Sequence, residues 1–246
     1  MSRWRVGLAA AWLVLPVLLY LSLPARAGQL AAFNAAVAEA YAPYRGAVSY
    51  LRTGNLDLAA LELEAASARW SAVIERFAEA PPDAFADDPA WRATLKDLGG
   101  RFAQAIQAID AGDPETARGL LAPVRGALGA LRRRNNVTVF SDRIDEITGA
   151  MDRLWRFRED PPDFAEAASL RELQSATAVL GYLLERCAGE APAQLRERED
   201  FTRLVGGAQT AVERLWLAVE GKDEALLLNT LRELRSFDRM LFLRFG

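Results

Sequence analysis

Two internal methionines, one cysteine and a run of three arginines are the residues of this chain whose types could do chemistry. Met151 and Met240 carry thioether sulfurs, a known iron ligand, so the pair could hold a haem by two axial bonds; the plainer role of methionine is to fill gaps in an apolar core. Cys187 is either a small buried hydrophobe or a reactive thiol, and reactivity needs exposure and a lowered pKa. Arg132-Arg-Arg134 is the cationic last turn of a helix or, alternatively, a site for an anionic partner. The acidic groups Asp87-Asp88 and Glu197 to Asp200 contain no Glu-x-x-His pair, which excludes a di-iron bundle site and leaves helix-start carboxylates. Trp70, Trp91, Trp155 and Trp216, with Tyr41, Tyr44 and Tyr50, fall at helical spacing and read as core, with a ligand slot inside a bundle as the alternative.

The rest of the catalytic repertoire is missing. The 246 residues include no His, so there is no catalytic triad, no imidazole zinc site and no ordinary haem axial ligand. A single Cys excludes an internal disulfide and all Cys-x-x-Cys chemistry. No Ser-containing nucleophile motif points to a hydrolase or lyase. The residues name no catalytic group and no metal site.

The N-terminus sets the compartment. Met1-Ser-Arg-Trp-Arg5 is followed by an apolar run from Val6 to Leu23 and then Pro24-Ala-Arg-Ala27. A charged start, an apolar stretch and small residues at Ala25 and Ala27 predict a secretory signal peptide, residues 1–27, cleaved after Ala27. The competing reading is an uncleaved membrane anchor. Either reading puts the remainder outside the cytoplasm, in the periplasm or an equivalent space. Loss of Arg3, Arg5 and Arg26 leaves 27 basic residues against 33 acidic, a poor balance for nucleic-acid binding.

The elements that must position these residues are helices. Apolar residues return at alternating three- and four-residue steps, as in Leu63, Ala66, Trp70, Val73, Phe77 and again in Leu227, Leu231, Leu234, Leu241, Phe245. Only Val137-Thr-Val-Phe140 is β-branched enough to interrupt the pattern. Turn and cap residues predict eight helices, at about 30–52, 56–79, 89–111, 114–134, 141–158, 163–189, 193–220 and 223–244. Asp88-Pro89 and Asp113-Pro114 each predict a cap followed by a first-turn proline. Leu56-Asp-Leu-Ala59 returns as Pro162-Asp-Phe-Ala165, and Asp110-Ala-Gly-Asp113 as Val219-Glu-Gly-Lys-Asp223, at offsets of about 106 to 110. The expected architecture is all-α: two tandem up-down-up-down four-helix bundles, residues 28–137 and 138–246.

Asp88-Pro-Ala-Trp91, Gly112-Asp-Pro-Glu-Thr-Ala-Arg-Gly-Leu-Leu121 and Gly221-Lys-Asp-Glu-Ala-Leu226, behind an exported leader, resemble cytochrome c-prime, and the resemblance covers nearly the whole mature chain. In that family the last helix ends in Cys-x-x-Cys-His, which attaches and ligates the haem. The corresponding ends here read Leu131-Arg-Arg-Arg-Asn-Asn136 and Phe237-Asp-Arg-Met-Leu-Phe-Leu243, so the attachment motif is absent from both units. The resemblance therefore implies the fold and not the family's electron transfer or gas binding. The expected function is non-enzymatic: an exported helical-bundle protein with a binding, sensing or assembly role and no cofactor. Its partner would be a protein or small molecule, not nucleic acid, and a membrane only if the N-terminal segment stays uncleaved. The alternative is a periplasmic electron carrier holding b-type haem between Met151 and Met240, since the first and last helices supply the axial ligands in soluble b-type cytochromes of this bundle shape.

Overall fold

The computed structural model describes residues 14–246, with side chains from Gly28 on. The expected leader therefore lies outside the described residues in its first thirteen positions, and outside the described side chains in the remainder. Among the described residues there is no strand, and no helix is long and apolar enough to cross a membrane. The chain divides into two compact units, one ending at Val137 and one running from Thr138 to Gly246.

In the first unit α1 (Val14–Thr53), α2 (Leu56–Phe77), α3 (Trp91–Asp110) and α4 (Pro114–Arg134) pack in chain order, and α4 also meets α1. The stripe read from the sequence on α2 is the buried face of that helix: Leu63, Ala66, Trp70, Val73 and Phe77 are all buried, with Ala59 beside them. Trp70 and Trp91 bury their rings and still satisfy their indole N–H groups, which donate to the carbonyls of Leu95 (2.9 Å) and Phe77 (3.0 Å). Phe33, Phe77, Phe85 and Trp91 close one end of the unit, with ring centroids 4.7 to 5.3 Å apart.

In the second unit α5 (Ser141–Glu159), α6 (Ala167–Glu190), α8 (Glu199–Gly221) and α9 (Glu224–Phe245) pack in the same order, and α9 also meets α5. A single helix expected over 193–220 is instead two, a one-turn α7 (Ala193–Arg196) and α8. The break falls at Arg198, whose backbone is extended, and the Arg196 guanidinium donates to the otherwise open carbonyls of Ala191 (2.9 Å) and Gly189 (3.4 Å) around the end of α6. The described residues thus hold nine helices where the pattern predicted eight. Two helix starts also move inward. Asp88 caps no helix: its carboxylate takes the Ala90 N–H at 2.9 Å and α3 begins at Trp91. Asp163 likewise takes the Ala165 N–H at 2.7 Å, closing a turn, and α6 begins at Ala167.

Three tight turns share one design. Gly54 (φ 81°), Gly112 (φ 73°) and Lys222 (φ 51°) occupy left-handed backbone after α1, α3 and α8. The next residue, Asn55, Asp113 or Asp223, sends its N–H back to the carbonyl five residues earlier, at 2.8 to 3.0 Å. Its side chain then accepts the N–H three residues on, capping the next helix. Glycine tolerates that backbone without cost, whereas a lysine there is strained.

Candidate functional site

The core of the second unit contains polar groups the apolar stripes do not foretell. Asp238, on α9, is 5% exposed, and Thr177 and Thr230 are also buried. Thr177 returns its hydroxyl to the Leu173 carbonyl one turn back, at 2.8 Å. Asp238 instead reaches across to α5: the Thr148 hydroxyl donates to it at 2.5 Å, and Arg235 at 3.2 Å. Arg235 also pairs with Asp152 at 2.7 Å and lies over the Trp155 ring at 5.0 Å, where Arg158 sits at 5.2 Å. A buried carboxylate needs this number of donors, because an ion moved out of water without them costs several kcal/mol.

Next to Asp238 is a cavity of about 10 Å³, lined by Ile147 and Met151 of α5, Leu180 and Leu184 of α6, Ala208 of α8, and Leu234 and Leu241 of α9. That is room for about one water molecule, and its walls are apolar apart from the carboxylate. Met151 lies fully buried in these walls. Of the two methionines named from the sequence, Met151 lines this cavity and Met240, which is only half-buried, does not.

Cys187 sits in the same core, fully buried on α6. Burial pushes its thiol up to about 12, and the nearby Arg143 offsets only part of that. Arg143 and Arg186 pair with Glu146 and Glu190 in an ionic cluster around it. A thiol in this state is protonated and shielded, so it packs and does not react.

The remaining candidates are structural. Arg132 is buried, Arg133 is exposed, and Arg134 is committed to Asp88 (2.8 Å) and Thr94 (2.9 Å), so the arginine run forms no continuous cationic surface. Asp88 is the anchor of that corner, with a side chain only 3% exposed. Burial raises its carboxyl, but hydrogen bonds from Asn135 (2.7 Å), Arg134 and the Ala90 N–H outweigh this and hold it below the usual carboxylate range. Asp200 joins the start of α8 to the end of α9 through Arg198 (2.8 Å) and Arg244 (2.9 Å), and these hydrogen bonds, Arg198 first, bring it to about 2. Tyr41 and Tyr44 are buried, Tyr44 donating to the Leu121 carbonyl at 3.2 Å, and Tyr50 is half-buried. Trp155 and Trp216 pack partly buried against the second core. No group of three acidic, cysteine or histidine side chains among the described residues could hold a metal ion.

Asp238, Thr148 and Arg235 are the residues that sequence reading missed. One signal was there: Asp238 occupies a slot of the stripe Leu231, Leu234, Leu241, Phe245 where the spacing calls for an apolar side chain. No protein-family model matches the chain, and no curated protein and no solved structure matches it.

Proposed function

We propose that the mature chain is an exported, non-enzymatic protein made of two tandem up-down-up-down four-helix bundles, similar to cytochrome c-prime in architecture but without its haem, and that it works through its surface in binding, sensing or assembly. The observation that carries this reading is the sequence at the end of each unit's last helix, Leu131-Arg-Arg-Arg-Asn-Asn136 and Phe237-Asp-Arg-Met-Leu-Phe-Leu243, which lacks the paired cysteines and the histidine that would attach and ligate a haem. The tandem arrangement draws support from the cyclic helix neighbours in each unit and from the Gly112-Asp113 and Lys222-Asp223 turns, which have the same geometry. Export draws on the charged and apolar start of the sequence and its Ala25-x-Ala27 end.

The test is a visible absorption spectrum of the protein purified from a haem-replete exporting host. A colourless protein whose mass begins at Gly28 supports the reading. A stoichiometric Soret band that disappears in Met151→Ala or Met240→Ala overturns it in favour of an electron carrier with b-type haem.

A further inference from the structure

The outward face of α6 carries no charge for about three turns. From Leu173 to Leu184 the helix has no acidic or basic side chain. At about 100° per residue, Tyr182 stands opposite the buried Leu173, Leu180 and Leu184. Ser175, Val179 and Tyr182 follow one another on that face at steps of four and three residues, the spacing of a coiled-coil seam, with Ala178 beside them. Tyr182 is 59% exposed and Val179 38%, and Ser175 and Ala178 are exposed as well. A single exposed apolar residue needs no explanation, but a charge-free outer face with an aromatic ring on it does.

The two charges that bound this face indicate what covers it. Arg171 and Glu185 are two heptads apart with Ala178 midway between them, so all three lie along one edge of the seam. Both are exposed, and neither makes an ion pair among the described residues. On the opposite edge, Glu172 and Arg186 are already taken up by Arg156 and Glu146 of α5. When two α6 helices pair antiparallel about a dyad at Ala178, like edges meet, and Arg171 of each copy comes level with Glu185 of the other. Tyr182 then lies against Ser175 of the other copy, a large side chain over a small one, and the two Val179 side chains flank the dyad. A parallel pair would instead turn Arg171 and Glu185 toward the edge whose charges α5 has taken up. We propose that the outer face of α6 is a self-association surface, and that its occupant is α6 of a second copy of this chain, antiparallel.

No like charges oppose one another in this arrangement, because on the second edge Glu172 comes near Arg186 of the other copy. A single helix pair buries far less than the roughly 1,600 Å² of a standard interface, so the dimer is weak and concentration-dependent. This gives a partner to the assembly role proposed above, yet it stands on α6 alone: a colourless protein that stays monomeric sinks it and leaves that reading intact.

Sedimentation velocity of the full exported chain from ~1 μM to ~1 mM at low ionic strength tests it. The expected result is a monomer–dimer equilibrium that Ala178→Glu weakens by about tenfold or more, since the new carboxylate meets its own copy at the dyad. Arg171→Glu and Glu185→Arg should each weaken it by about fivefold, and the double variant, or an equal mixture of the two single variants, should restore it. All three positions are exposed, so circular dichroism should show every variant folded like the parent. A monomer at every concentration overturns the proposal, as does a dimer indifferent to Ala178→Glu. A dimer that the single charge reversals do not weaken, or that their combination does not restore, overturns the antiparallel self-pairing.

Discussion

Asp113 and Asp223 stand 110 positions apart and do the same work: each carboxylate accepts the backbone N–H three residues on, Thr116 at 3.0 Å and Leu226 at 2.9 Å, and each backbone N–H closes onto the helix before it. Each aspartate ends one helix and starts the next, so the turn stays tight and the two helices become neighbours. Removing the second cap in Asp223→Ala should cost about 1 kcal/mol in a chemical-denaturation experiment, and Asp223→Asn much less. Equal losses in the two variants would mean that the cap bond is not what the aspartate supplies.

Acid should loosen the second unit where α8 meets the end of α9. Asp200 has its carboxyl lowered to about 2 by Arg198 and Arg244, from an ordinary value near 3.8. A depressed folded value means that this contribution to stability is fully present above about pH 4 and fades as the pH falls toward 2. The thermal midpoint of Asp200→Asn should therefore fall below that of the parent at neutral pH and converge on it near pH 2. Parallel curves across that window would show that the Asp200 ion pairs contribute nothing.

Cys187 should be silent in the folded protein. With its thiol buried and raised to about 12, it offers almost no thiolate at neutral pH and no access to reagent. Thiol labelling should then follow global unfolding, with the same denaturant midpoint as circular dichroism. Complete labelling under native conditions would show that this part of α6 opens by itself.

The cores are legible in the sequence because a helix repeats its contacts every three or four residues, so the spacing alone marks Leu63 to Phe77 and Leu227 to Phe245 as faces. The turns at Asn55, Asp113 and Asp223 are legible for a similar reason: the capping bond is local. What escapes depends on partners distant in sequence. Asp88 and Asp113 both precede a proline, but Asp88 is drawn to Arg134 and Asn135, more than forty residues away, and α3 starts without it. Asp238 stands among leucines because Thr148 on another helix donates to it, and no spacing rule along α9 contains that fact. Met151 and Met240 look equivalent as residue types; a shift of position around α9 turns one out of the core while α5 buries the other.

The proposed architecture requires each unit to be a bundle closed on itself, so that its core needs neither a cofactor nor the other half. The direct measurement is thermal unfolding of residues 138–246 expressed alone, followed by circular dichroism and by binding of a hydrophobic dye. Four amphipathic helices that close their own core predict a soluble, helical, monomeric or weakly associating fragment of about a hundred residues, with a cooperative transition and no dye binding before it. A fragment that aggregates, binds dye in its native buffer or melts without cooperativity would contradict the claim, because its apolar face would then belong to a core shared with the first half.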